Sequence, residues 1–367
     1  MVGPVPNQTA GTIDAAGRWF VESGIQEPFG GFARYYRGEA GKNLPVSTET
    51  TAYGISALVY LHFLSGDPRY HEAALRAGDF LLRSSWDPSL RSFPFEFGSN
   101  GNGSSHLCYF FDSGIIVRGL LALWRVGGNT ELLRTAIACA ESMSYDFRSD
   151  TAFHAILDLP QKTPLTGNGS WSRQPGCYQL KAGLAWQELQ SDGHTENGTE
   201  LYGVLLRNAL STHDSFLDDE SDSIDFMARL HGYCYFLEGL WPATGDTDCA
   251  NLLASGIRRV ESRVATTREH FERSDVYAQL LRLRLFAAAM EILPLDLETA
   301  ADEARRITEF QSPAADRRLH GGFLFARNGG ELLPHGNPVS TAFSVQALEF
   351  WRQYQDGSFR PDWRTLI

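Results

Sequence analysis

Carboxylates, a histidine and an arginine stand at the starts of several helix-like segments: Glu49, Asp112, Arg173, His231 and Asp275. The loops leading into those segments add Arg34, Glu96, His106, Trp171, His320 and His335. Aromatic residues are interleaved with them, among them Tyr35, Tyr36, Phe93, Phe95, Tyr109 and Phe110. Such a set suits a sugar, because aromatic rings cover the apolar faces of a pyranose while Asp, Glu and Arg bind its hydroxyls. Glycoside hydrolysis usually needs one protonated and one ionised carboxyl flanking the bond. Glu49 and Asp112 are the expected pair, with Glu96 or Asp275 as substitutes. A second chemistry is proton exchange at C5 of a uronyl unit, giving epimerisation or β-elimination. His231, Tyr53 or Tyr235 would move the proton, and Arg173 or Arg34 would neutralise the carboxylate.

Each of these residues also has a purely structural explanation. Asp112, in Phe111-Asp112-Ser113-Gly114, fits a helix cap, and so does Asp275. Glu49 lies in a first turn, where the helix dipole favours a carboxylate. His231 sits inside a helix pattern, as a satisfied core histidine would. Arg173 fits a local ion pair. Their joint presence at equivalent repeat positions carries more weight than any one of them. The run Asp218-Asp219-Glu220-Ser221-Asp222 resembles an acidic metal-binding motif, but its polar surroundings fit a solvated loop. The glycine-rich stretch 98–103 lacks the Gly-Lys-Ser/Thr ending of a phosphate loop. There is no His-Glu-x-x-His and no paired Cys-x-x-Cys, so neither a metal nor a cofactor is expected.

Helical periodicity dominates the elements that must hold these residues. Amphipathic helices are expected at 10–24, 68–83, 130–146, 197–210, 246–265 and 297–311. Helices richer in Gly, Ala, Leu and aromatics are expected at 48–64, 112–127, 174–190, 226–242, 274–292 and 338–355, in strict alternation with the first set. The chain also repeats itself. Gly30-Gly31-Phe32, Pro45-Val46-Ser47 and Thr51-Ala52-Tyr53 return near the other end as Gly321-Gly322-Phe323, Pro338-Val339-Ser340 and Thr341-Ala342-Phe343. Weaker copies begin near Asp112, Pro175, Leu230 and Ser274. Six hairpins of this kind predict one all-α domain over 1–367, a closed ring with apolar inner and amphipathic outer helices. Long loops such as 93–111 and 158–175 then gather on the face carrying the inner-helix N-termini, whose partial positive charge favours anionic groups.

Composition limits the partners. The chain has 367 residues, is 43% hydrophobic and carries a formal net charge of -12. It is too apolar for a disordered chain. An acidic surface repels phosphate backbones and anionic lipid, so neither nucleic acid nor membrane is an expected partner. No apolar run reaches a transmembrane length, and the first sixteen residues lack the pattern of a signal peptide. Five widely spaced cysteines read as buried reduced thiols of a cytoplasmic protein.

The alternation resembles the (α/α)6 toroid shared by many carbohydrate-active enzymes and by terpenoid cyclases. Glucoamylase-type and unsaturated-glucuronyl hydrolases, uronyl C5-epimerases, sugar 2-epimerases and several polysaccharide lyases have it. Segments 45–54, 111–124, 231–240 and 275–283 resemble parts of bacterial toroid proteins encoded near polysaccharide genes. Phe111-Asp112-Ser113-Gly114 is similar to the Asp-bearing helix start of unsaturated-glucuronyl hydrolases, which implies a catalytic Asp112. His231 resembles one of the paired histidines of sugar 2-epimerases. Gly321-Gly322-Phe323 followed by 346–351 is similar to the Gln-Trp repeats of triterpene cyclases, but the Asp-x-Asp-Asp acid motif of those enzymes is missing. The resemblance implies a carbohydrate-active enzyme, first a glycoside hydrolase, then an epimerase or lyase. A terpenoid cyclase and a non-catalytic glycan-binding toroid are the alternatives of other classes. An anionic sugar is the expected ligand, with Arg34, Arg173, His320 and His335 as its positive groups.

Overall fold

The two strongest copies of the sequence repeat build the same hydrogen-bonded unit. Thr51 Oγ1 accepts from Phe32 N at 2.9 Å and donates to Ser47 O at 2.7 Å. Thr341 Oγ1 accepts from Phe323 N at 3.0 Å and donates to Asn337 O at 2.8 Å. Ser47 and Asn337 cap the helices that follow. This equivalence confirms the Thr-Ala-aromatic match and corrects the Pro-Val-Ser match, which is three residues out of register. Pro45-Val46 precedes its helix, whereas Pro338 is the first residue of its own, a position where a missing N–H costs nothing.

The computed structural model describes residues 6–97, 106–165, 170–217 and 223–367. The acidic run 218–222 and the glycine-rich stretch 98–103 lie outside the described residues. Twelve α-helices are present among the described residues: α1 Pro6–Glu22, α2 Thr48–Ser65, α3 Pro68–Phe80, α4 Phe110–Gly127, α5 Thr130–Asp146, α6 Leu184–Ser191, α7 Gly198–Phe216, α8 Ser223–Gly239, α9 Thr247–Thr267, α10 Ser274–Ala289, α11 Leu297–Glu309 and α12 Pro338–Gln355. Asp67, Asn129, Asp246 and Asp296 cap α3, α5, α9 and α11 with their side chains. The expected helix 174–190 is shorter than its pattern. Its first part is a tight turn, Cys177–Lys181, that carries Ala182 against α4. No described helix is long and apolar enough to cross a membrane.

Backbone proximity groups the chain into two compact units. In the first, 26–34 with 43–216, α2, α4 and α6 lie side by side, and α3, α5 and α7 pack behind them. In the second, 1–25 with 35–42 and 217–367, α8, α10 and α12 lie side by side, with α9, α11 and α1 packed on them. Apolar burial follows this order. Nearly all of α10 and most of α4 and α12 are buried, against about one face of α3 and α11.

Two glycines fix how each loop meets the next hairpin. Gly30 and Gly321 have φ of +103° and +84°, in the left-handed region. A methyl on Gly30 would lie 2.2 Å from Arg76 O on α3, and one on Gly321 would lie 2.6 Å from Ala15 O on α1. The loop before α12 therefore meets α1 as the loop before α2 meets α3. Two- and three-residue strands join neighbouring loops at the helix starts. Val46–Ser47 pairs with Glu96–Phe97, Leu107–Tyr109 with Ile156–Asp158, and Phe271–Arg273 with Ala326–Asn328.

Candidate active site

The first unit gathers most of its expected site residues at the starts of α2 and α4. The Ser47–Glu96 strand pair sets Glu96 beside the α2 N-terminus, and Thr48 Oγ1 donates to Pro94 O at 2.7 Å. Glu96 forms an ion pair with Arg34, whose guanidinium lies 5.4 Å from the Phe95 ring centroid. Phe95 in turn packs on Tyr109 at 5.0 Å. Tyr109 is the α4 N-cap residue, and it makes no side-chain cap bond. Asp112 is the acidic residue of the first turn of α4 and is not its N-cap residue.

Glu49 and Asp112 are electrostatic neighbours. Burial raises the Glu49 carboxyl, the Arg34 and Lys181 charges oppose this, and the outcome is a pKa of about 7. Burial and then the charge of Glu49 push Asp112 well above the usual carboxylate range, against Arg34 and a backbone hydrogen bond. Asp112 is buried, and no described group hydrogen-bonds its Oδ2. Glu49 is hemmed in by protein yet keeps part of its surface accessible, as a residue lining a concavity does. Both carboxyls are thus raised, Asp112 the more strongly, and their titrations are linked through the charge of Glu49. Burial also raises Tyr109; Asp112 and Glu96 add to the rise, and Arg173 and Arg34 oppose it, which puts Arg173 within electrostatic reach of the cluster.

Lys181 is the member that sequence reading missed. It is fully buried, and its ammonium lies 5.4 Å from the Tyr53 ring centroid. A lone lysine inside the apolar stretch Leu180 to Leu184 was the available signal. Trp171 contributes less to the cluster. Its ring packs edge-on against Tyr178 and Phe216 at 4.9 and 5.7 Å. His106 lines a different cavity of about 440 Å³, with Trp86, Pro94, Phe97 and Leu159.

The second unit holds a separate polar group on α8 and α10. His231 Nδ1 lies 2.7 Å from Gln279 Oε1 and 3.7 Å from Asp275 Oδ2. Arg273 donates to both Asp275 oxygens, at 2.9 and 2.6 Å, and stacks over Phe325 at 4.6 Å. Burial raises Asp275, but the charges of Arg273 and His231 and the Arg273 hydrogen bond outweigh it, leaving the carboxyl below its ordinary value. Asp275 is thus an ionised partner of Arg273 and is poorly suited to donate a proton. It does not cap α10, where Arg273 is the N-cap residue and makes no side-chain cap bond. Tyr235 packs edge-on against His231 at 4.4 Å. His320 bonds Ala314 O within its own loop, and His335 pairs with Glu39 at 2.9 Å. Arg273 and Gln279, both missed in the sequence, flank Asp275 at two residues before and four after. Among the described residues no group of three or more His, Cys, Asp or Glu side chains could hold a metal ion.

No protein-family model and no curated protein matches the chain. Solved structures do. Cellobiose 2-epimerase from Spirochaeta thermophila aligns with a TM-score of 0.72 at 15% identity, over 94% of this chain and 98% of its own. D-mannose isomerase aligns with a TM-score of 0.70 at 9% identity, over 95% and 98%. An unsaturated glucuronyl hydrolase specific for heparin aligns with a TM-score of 0.67 at 11% identity, over 97% and 100%. The chain has the all-α (α/α)6-toroid fold of these enzymes. At such identities the likeness concerns the fold.

Proposed function

We propose that the chain is a carbohydrate-active enzyme that hydrolyses a glycosidic bond in a glycan or oligosaccharide. The observation that carries this reading is the Glu49–Asp112 pair, two neighbouring carboxyls at the starts of α2 and α4 that burial raises, Glu49 to about 7 and Asp112 well above the usual carboxylate range. The protonated member would donate to the leaving glycosidic oxygen, and the ionised member would serve as base or nucleophile. Asp112, the more strongly raised, is assigned as the acid and Glu49 as its partner. Arg34, Arg173 and Lys181 around the pair favour a substrate with uronic acid units. The same charges count against a terpenoid cyclase, whose cavity should be apolar. The reading takes residues 1–367 as one toroid domain. It places the enzyme in the cytoplasm, supported by five cysteines buried as thiols.

The test is a panel of neutral and uronic acid oligosaccharides with reducing-end detection. Turnover is expected in the wild type and a loss of at least about a hundredfold in the double variant Asp112→Asn, Glu49→Gln. A double variant as fast as the wild type would remove the assignment, and turnover of any sugar would exclude a purely binding role. A second reading, proton exchange at a sugar carbon, rests on His231 held through Nδ1 by Gln279, and two of the structural neighbours are named as an epimerase and an isomerase. Deuterium uptake from solvent without chain cleavage would favour it, and a new absorbance from an unsaturated uronate would indicate elimination.

A further inference from the structure

We propose that the cavity of about 440 Å³ bordered by Trp86, Asp87 and His106 is a second sugar-binding site, one that takes a neutral sugar unit. The inference rests on the carbohydrate reading of the chain, but not on which reaction the carboxyl pair performs. The volume lies within the range of small-molecule sites. Every residue lining it belongs to the unit that holds Glu49 and Asp112. Beyond α3 the backbone winds a five-residue π-turn, Leu81–Ser85, closed by Trp86 N donating to Leu81 O at 2.9 Å. Wider turns of this kind recur at functional sites, and this one delivers Ser84 and Trp86 to the cavity wall. Phe97 and Leu159 extend its apolar part.

The lining combines a ring with polar groups that the protein leaves unused. Trp86 packs on Phe93 at 4.8 Å yet is only half-buried, so part of its indole serves as a platform for the apolar face of a pyranose. Asp87 Oδ1 is taken up by its own turn, accepting from Ser89 N, Ser89 Oγ and Leu90 N at 2.8, 2.6 and 3.0 Å. Among the described residues Oδ2 has no hydrogen-bond partner, and neither do the His106 imidazole and the Ser84 hydroxyl. Together they offer acceptors and donors to sugar hydroxyls. No Lys or Arg lines the cavity, so a uronate or phosphate would find no counter-charge there. Three donors already engage Asp87, which weakens its pull on an ammonium group. The cavity and the carboxyl site share a wall. Pro94 and Phe97 line the cavity, and between them Phe95 packs on Tyr109 and Glu96 pairs with Arg34. A glycan crossing this segment would meet Arg34 with one unit and Trp86 with another.

The experiment follows the tryptophan indole N–H signals of the full chain by NMR, with Trp86 assigned from Trp86→Phe. The probes are the methyl glycosides of glucose, galactose and mannose, set against those of glucuronic acid and glucosamine. At least one neutral glycoside should shift the Trp86 signal saturably, at about millimolar concentration. Asp87→Asn keeps the Oδ1 acceptor of the turn and should weaken that binding about tenfold or more. His106→Ala, at an exposed position, carries the same expectation should Asp87→Asn not fold. No shift at Trp86 with any neutral glycoside would overturn the proposal. So would unchanged affinity in the folded variant, or tighter binding of the glucuronic acid or glucosamine glycoside. Binding at Trp86 in a protein that turns over no sugar would support the site and fault the hydrolytic reading, whereas turnover without binding at Trp86 would do the reverse.

Discussion

Asp112→Asn separates burial from repulsion as the cause of the raised Glu49 carboxyl. Burial is the largest influence on Glu49, and Arg34 and Lys181 work against it. Asp112 owes its own rise to burial and then to the charge of Glu49. Asp112 is therefore still protonated, and neutral, when Glu49 loses its proton. Asparagine is also neutral and has nearly the same shape. The Glu49 midpoint should stay near 7, and the second carboxyl titration at higher pH should vanish. A rise from 4.5 to about 7 corresponds to roughly 3 kcal/mol. Because Glu49 keeps part of its surface in water, solvent screening reduces this to about 2 kcal/mol. The sign follows from proton binding. Between the two values the folded chain holds the Glu49 proton more tightly than the unfolded chain, so stability falls as pH rises through that window. Urea unfolding of Asp112→Asn across the window should keep this fall, and NMR of the glutamate carboxyls, assigned with Glu49→Gln, should place the midpoint. A Glu49 midpoint back near the ordinary glutamate value would refute the reasoning, since repulsion by Asp112 would then be the cause.

Three further outcomes are expected. Arg273→Met leaves the buried Asp275 charge without its bidentate partner and should cost about 3–5 kcal/mol in urea unfolding, largely recovered in the double variant with Asp275→Asn. Gln279→Leu removes the acceptor at His231 Nδ1 and should cost about 1–3 kcal/mol, while imidazole nitrogen NMR should show His231 losing its preference for a proton on Nδ1. Gly30→Ala and Gly321→Ala should each lose about 2 kcal/mol or more, because both combine a left-handed φ with a backbone oxygen inside the space of the new methyl; calorimetric melting temperatures unchanged in both would contradict the equivalence of the two repeats.

The helices were legible because their signals are local. Apolar spacing and Asp or Asn caps mark α3, α5, α9 and α11 within the chain itself, and the observed starts lie within about one residue of the expected ones. The exceptions are places where distant residues decide. The tight turn before α6 exists because Ala182 is pressed on Gly114, a contact between segments nearly seventy residues apart. The Pro-Val-Ser match misled because proline is at home both just before a helix and in its first turn, so one tripeptide serves two registers. The short strands at the helix starts have two or three residues each, too few for alternation to show.

The candidate site divides along the same line. Glu49, Asp112 and Asp275 were visible as carboxylates at helix starts, but residue type and position could not rank them. Glu49 and Asp275 are each one residue past a hydroxyl, Thr48 or Ser274, that bonds a loop carbonyl at 2.7 Å. They occupy equivalent places, yet one is raised and the other lowered. The difference lies in the partners. Asp275 has Arg273 two residues away, locked to both oxygens. Glu49 takes its positive neighbours from elsewhere, from Arg34 whose guanidinium is already engaged by Glu96, and from Lys181 more than a hundred residues along the chain. A cation next to its carboxylate in sequence makes a settled ion pair, whereas cations supplied by tertiary packing and shared with other groups leave a carboxyl free to exchange its proton. That contrast makes the Glu49–Asp112 pair, and not Asp275, the place to look for acid–base chemistry.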